Sequence, residues 1–182
     1  MANVFSQEER RELLAFVRGI IESELMNTEP PSPPAIPLLR ETRACFVTLH
    51  DIAGNLRGCI GNIEAFEPLG ENLVRNAHNA AFSDPRFAPL DPEELGETSI
   101  ELSILTPPQP ITDPTKFVIG EDGIILRQGM RGAVFLPQVA PEQGWDQETT
   151  LAYLSRKAGL SADGWKQPDT HFQTFRAEVF GE

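Results

Sequence analysis

Behind an amino-terminal capping box, apolar positions recur at helical spacing. Ser6-Gln7-Glu8-Glu9 sets a hydroxyl at the N-cap and a carboxylate three residues on, and Leu13, Leu14, Val17, Ile20, Ile21 and Leu25 follow on one face. The pattern predicts a first helix that ends near Met26. In residues 27–39 the period is lost, and Pro30, Pro31, Pro33, Pro34 and Pro37 read as an extended, polyproline-like connector. Alternation with period two then begins. Residues 45–50 and 56–60 read as two strands around a Gly54-Asn55 turn. Matching their apolar faces predicts an antiparallel register with Val47 opposite Ile60, Leu49 opposite Gly58, Thr48 opposite Cys59 and His50 opposite Arg57, since a slip of one residue would turn the apolar side outward.

Residues 68–81 return to helical spacing, with Leu69, Leu73, Ala77, Ala80 and Ala81 on one face and a stop before Asp84-Pro85. Asp91-Pro92 opens a short helix. Ile100, Leu102 and Ile104 alternate with Glu101 and Ser103 as a half-buried strand. Residues 124–127 and 133–136 read as a hairpin, Asp146 caps a helix over 147–158 with Gly159 as its stop, and Phe175, Ala177 and Val179 mark a closing strand. Hairpins interspersed with helices predict an α+β fold with a mainly antiparallel sheet flanked by helices.

Composition narrows the function classes. The 182 residues carry 27 acidic and 15 basic side chains, a net charge of −12. That balance argues against broad nucleic-acid binding or attachment to an anionic membrane, both of which need clustered cations. No apolar run approaches the roughly 20 residues that span a bilayer, and the first residues lack the basic and apolar regions of a secretory signal, so the expected compartment is cytoplasmic. Cys45 and Cys59 are then expected to be free thiols. Three scattered histidines show no metal-ligand spacing, no phosphate-loop or dinucleotide motif is present, and no metal or cofactor is expected.

The chemistry concentrates in Leu56-Arg57-Gly58-Cys59-Ile60-Gly61-Asn62. Alternate residues of a strand share a face, so Arg57 and Cys59 point one way and Leu56 and Ile60 the other. A neighbouring cation favours the thiolate, the reactive form of cysteine, which makes Cys59 a candidate nucleophile, while a cysteine that only fills space is the competing reading. Cys45 shares its face with Val47 and Leu49 and reads as packing. Gly58 and Gly61 suit a close approach by a ligand or another backbone. Arg86, after Asp84, could join Arg57 in gripping an anion, and Glu101 could orient Arg57 or move a proton. His50 and His78 are the candidate bases for a Cys–His arrangement.

The same segment, with Phe46-Val47-Thr48-Leu49, residues 80–90 (AAFSDPRFAPL), 100–107 (IELSILTP), 123–125 (GII), 136–140 (LPQVA), 144–146 (GWD) and 157–160 (KAGL), resembles the AMMECR domain family, whose prokaryotic members include the A protein of the AmmeMemoRadiSam system. The resemblance implies one domain over residues 1–182 in two unequal lobes, the part from about residue 120 forming the smaller, with a cleft near the LRGCIG strand. It implies partnership with a radical SAM enzyme and a Memo-like protein. It places suspicion of catalysis on Cys59, with Arg57 and Glu101 beside it and Gly58, Gly61, Asp84 and Arg86 as substrate-binding residues. Two functions follow as expectations: a cysteine-dependent enzyme acting on a small or modified substrate, or a noncatalytic module that binds substrate for those partners or regulates them.

Overall fold

A computed structural model describes residues 4–182. The helix α1 spans Gln7–Met26, and its capping box is formed on both sides, Glu9 N–H donating to Ser6 Oγ and Ser6 N–H to Glu9 Oε2. Asn27 closes it in the left-handed conformation, at φ 52°. Up to Ile36 the connector forms no helix or strand; it turns there, Ile36 N–H donating to the Pro34 carbonyl, and winds into one 3-10 turn over Pro37–Arg40. Then follow β1 (Cys45–His50), β2 (Leu56–Gly61), α2 (Leu69–Phe82), α3 (Pro92–Leu95), β3 (Ser99–Leu105), β4 (Gln109–Ile111), β5 (Gly123–Gln128), β6 (Arg131–Phe135), α4 (Val139–Gln143), α5 (Gln147–Lys157), β7 (His171–Phe175) and β8 (Ala177–Gly181). The fold is α+β, with two antiparallel four-stranded sheets ordered β2-β1-β3-β8 and β4-β7-β5-β6.

The chain divides into two compact units, one formed by the described residues up to Leu105 with Glu178–Glu182, the other by Thr106–Ala177. In the first, α1 and α2 cover one face of the sheet. Cys45, Val47 and Leu49 of β1 and Leu102 of β3 meet Leu13, Val17, Leu69 and Leu73 in a core closed to solvent. In the second, α5 lays Leu151 and Leu154 against Ile124 and Leu126 of β5 and Phe172 of β7. No helix among the described residues is long and apolar enough to cross a membrane.

Two expectations need correction, and one strand was not foreseen. Alternation across residues 175–179 predicts one closing strand, yet the chain changes sheets at Arg176: β7 pairs with β4 and β5, and β8 joins the other sheet. The sequence alternates through Val179, but burial does not follow it: Val179 is exposed and Phe180 is buried in the core of the first unit, so the pattern alone does not reveal the switch. The short β4 carries Pro110 and no alternation, which hid it from the sequence. His50 lies opposite Leu56 rather than Arg57, although Val47↔Ile60, Thr48↔Cys59 and Leu49↔Gly58 fall as expected. The register shifts between Leu49 and His50, leaving Arg57 as the extra residue of a β-bulge. The loop beyond continues the shifted ladder, with Asp51 N–H donating to Asn55 O, and the Asp51 carboxylate accepts the amides of Ala53 and Asn55.

Gly58 sets how closely α2 approaches. A Cβ built at residue 58 would collide with the carbonyl oxygen of Ala80, so only a bare backbone lets helix and sheet meet at that depth. Gly58→Ala is expected to destabilise the protein by about 1–3 kcal/mol, the usual cost of overpacking. Urea denaturation would check it; an unchanged midpoint would show that α2 yields freely.

Candidate functional site

The site begins at a sheet edge. β2 has a strand on one side only, and an edge strand carries backbone groups that need partners. At Cys59 those partners are side chains. The backbone N–H of Cys59 donates to Asp84 Oδ2 at 2.9 Å, and Arg86 Nη2 donates to the Cys59 carbonyl oxygen at 3.1 Å. Asp84 and Arg86 also grip each other, Arg86 Nε reaching Oδ1 at 2.9 Å and Nη2 reaching Oδ2 at 2.7 Å. The pair therefore presents one acceptor and one donor, as a neighbouring strand would.

Local sequence explains how the clasp forms. The α2 helix stops just before Asp84, Pro85 cannot extend a helix, and Leu90 N–H returns to the Ala81 carbonyl, folding residues 84–90 back against the helix end. The Asp84 side chain is 2% exposed while that of Arg86 is 53% exposed. Hydrogen bonds from the Arg86 guanidinium, reinforced by the amides of Cys59 and Arg86, hold the Asp84 carboxyl well below the usual carboxylate range despite its burial.

Cys59 itself is half-buried, on the face turned away from α2. Thr48, directly opposite on β1, lies 3.3 Å from the sulfur with its hydroxyl as donor, and is nine-tenths buried. Thr48 also pairs in register with Glu101 of β3, so Cys59, Thr48 and Glu101 form one row across three strands. Strand spacing of about 4.8 Å puts Glu101 roughly two spacings from Cys59, with Thr48 between them.

The other expected residues are placed as follows. Arg57, without a strand partner at the bulge, pairs bidentately with Glu94 of α3, Nε–Oε1 at 2.9 Å and Nη2–Oε2 at 2.8 Å. Glu94 in turn holds the Arg57 guanidinium more firmly protonated, and its own carboxyl is lowered. Arg57 and Arg86 both stand over the Phe87 ring, at 5.9 and 5.5 Å from its centroid. Gly58 meets Ala80, and Gly61 lies against the Phe46 ring. His50 lies outside that row, opposite Leu56 and Ser99, and His78 lies on α2 within 3.9 Å of Glu24.

Sequence reasoning missed an asparagine network behind the site. Asn72 and Asn76 are fully buried on α2, one turn apart. Asn72 Oδ1 accepts the Cys45 amide at 3.0 Å and its thiol at 2.8 Å, and Asn76 Nδ2 donates to the Cys45 carbonyl at 3.1 Å. Asn62 Oδ1 accepts from Asn72 at 2.7 Å, from Asn76 at 3.1 Å and from Arg75 at 3.0 Å. Two amides at i and i+4 amid the apolar stripe of a helix were the available signal.

Known proteins bear on the chain as follows. The AMMECR1 family profile matches residues 14–180. A Methanothermobacter thermautotrophicus protein is 40% identical, the match covering 97% of this chain and 96% of the relative. Protein MK0488 of Methanopyrus kandleri is 45% identical over 92% of this chain and 83% of its own length. The crystal structure of uncharacterized protein PH0010 from Pyrococcus horikoshii superposes with a TM-score of 0.79 at 38% identity, covering 98% of this chain and 93% of that one.

Two outcomes follow from the site geometry. Cys45 is closed to solvent and burial pushes its thiol up to about 12, whereas Cys59 is half-exposed. Brief iodoacetamide treatment of the folded protein, read by peptide mass spectrometry, is expected to label Cys59 at least tenfold faster than Cys45; equal labelling would contradict the arrangement. The second concerns acid. A depressed folded carboxyl contributes stability that is present above its unfolded value, about 3.9, and is lost as pH falls toward the folded one. Asp84→Asn is therefore expected to lower the melting temperature at pH 7, with the gap to wild type closing progressively below about pH 4; a gap independent of pH would rule out the charged clasp.

Proposed function

Since the chain belongs to the AMMECR1 family, we propose that it acts as a cysteine-dependent enzyme in which the Cys59 thiolate attacks a small or modified substrate, displaces the leaving group with its bonding electron pair, and carries the transferred group until an acceptor such as water takes it and frees the thiol. The observation that supports this reading is the restraint around one thiol. Its backbone is held by Asp84 and Arg86, and its sulfur accepts a hydrogen bond from Thr48. Thr48 is stiff at χ1 and buried, so its hydroxyl is pre-aimed at the charge that a thiolate carries. Arg86, half-exposed beside Cys59, is the side chain placed to meet an anionic part of the substrate, and Glu101 lies one strand beyond Thr48 in the same row. The family resemblance extends the proposal to a shared pathway with a radical SAM enzyme and a Memo-like protein.

A noncatalytic substrate-binding or regulatory role in that pathway is favoured by a different observation. Arg57 and Arg86 are each already engaged by a carboxylate, and the row puts a threonine rather than a base beside Cys59. The two readings separate with p-nitrophenyl acetate. An enzyme is expected to release nitrophenolate with a new thioester on Cys59, to turn over more than one equivalent, and to lose both properties in a folded Cys59→Ser variant. A natively folded wild type left unmodified at Cys59 would overturn the enzymatic reading and favour the binding module.

A further inference from the structure

The proline-rich stretch forms part of a second feature, remote in sequence from Cys59. Pro31 and Pro34 of the connector, Phe16 and Ile20 of α1, and Gly70 and Val74 of α2 line an open, predominantly apolar cavity of about 750 Å³ within the first unit. That volume lies in the range of about 300–1,000 Å³ typical of small-molecule sites. Its walls are stiff. Proline fixes φ along the connector, and α1 carries Gly19 where a Cβ would come within 2.9 Å of the Pro31 ring, so the proline ridge seats directly on the helix.

Two charged side chains stand on the lining, Arg40 and Glu71. They are not equivalent. Glu71 belongs to the first turn of α2, where the aligned amides of a fourteen-residue helix favour a negative charge. Arg40 has no carboxylate, carbonyl or ring partner among the described residues, whereas Arg10, Arg43, Arg57, Arg75 and Arg86 of the same unit are each held by a carboxylate. A free guanidinium on an apolar cavity, in a chain where acids outnumber bases 27 to 15, complements a ligand that is apolar in body and acidic at one end.

We propose that this cavity binds a monomeric apolar carboxylate, with its hydrocarbon body between the proline ridge and α1 and its carboxylate on Arg40. The full chain would be titrated by calorimetry with decanoate, decanol and decylamine, each below its aggregation concentration. Decanoate is expected to saturate at one equivalent and to bind at least tenfold more tightly than decanol or decylamine. Arg40→Gln, an exposed change, is expected to weaken decanoate about tenfold while leaving decanol unchanged. Val74→Trp, which fills the cavity from its exposed wall, is expected to abolish binding of both. Decanoate binding no tighter than decanol, or undiminished in folded Val74→Trp, would overturn the proposal.

Discussion

A carboxylate and a guanidinium occupy the place where another strand would pair with β2. Edge strands need their backbone groups covered, and at Cys59 the Asp84–Arg86 pair supplies one acceptor and one donor in strand-like positions. Much of the first unit is arranged so that this contact can form. Gly58 permits α2 to lie against the sheet, the end of α2 then sets Asp84 beside the strand, and Arg86, two residues on, completes the grip. A shift of α2 would withdraw Asp84, leaving a part-buried amide without its acceptor. The position of the thiol is thus a consequence of helix–sheet packing.

The asparagine network holds the opposite end of the same assembly. Asn72 and Asn76 lock the first residue of β1 to α2, and Asn62, the last residue of the LRGCIGN segment, receives both amides and Arg75. Segment and helix are therefore tied at both ends, through Asp84 at one and Asn62 at the other. Every polar side-chain atom that Asn62 and Asn72 direct into this network is engaged, and Asn76 donates to it through Nδ2 while its Oδ1 has no partner; such bonds favour one relative placement of helix and sheet over a sliding apolar contact. The motif reads, in physical terms, as a strand fastened to a helix with its cysteine on the free face.

How far the sequence revealed this depended on the range of each interaction. The capping box at Ser6, the apolar stripe of α2 and the pairing of Thr48 with Cys59 are local or face-matching features, and they were legible. The bulge at Arg57 was not, because the face rule assumes an unbroken ladder, and one extra residue moves the arginine to Glu94 of α3. Asp84 and Arg86 could be suspected from their chemistry. Their grip on the backbone of Cys59 depends on where α2 ends in space, which periodicity does not encode. The exchange of sheets at Arg176 was hidden because alternation says nothing of which strand lies alongside, and after the exchange Phe180 rather than Val179 turns inward.

Asp84 holds the backbone of Cys59, and amide hydrogen exchange at that one residue reads the grip. In the wild type the Cys59 amide is expected to exchange slowly, as a core strand amide does, and in Asp84→Ala to exchange at least tenfold faster while the amides of Val47 and Leu49 remain protected. A Cys59 amide that exchanges at the same rate in both proteins would show that Asp84 does not hold it.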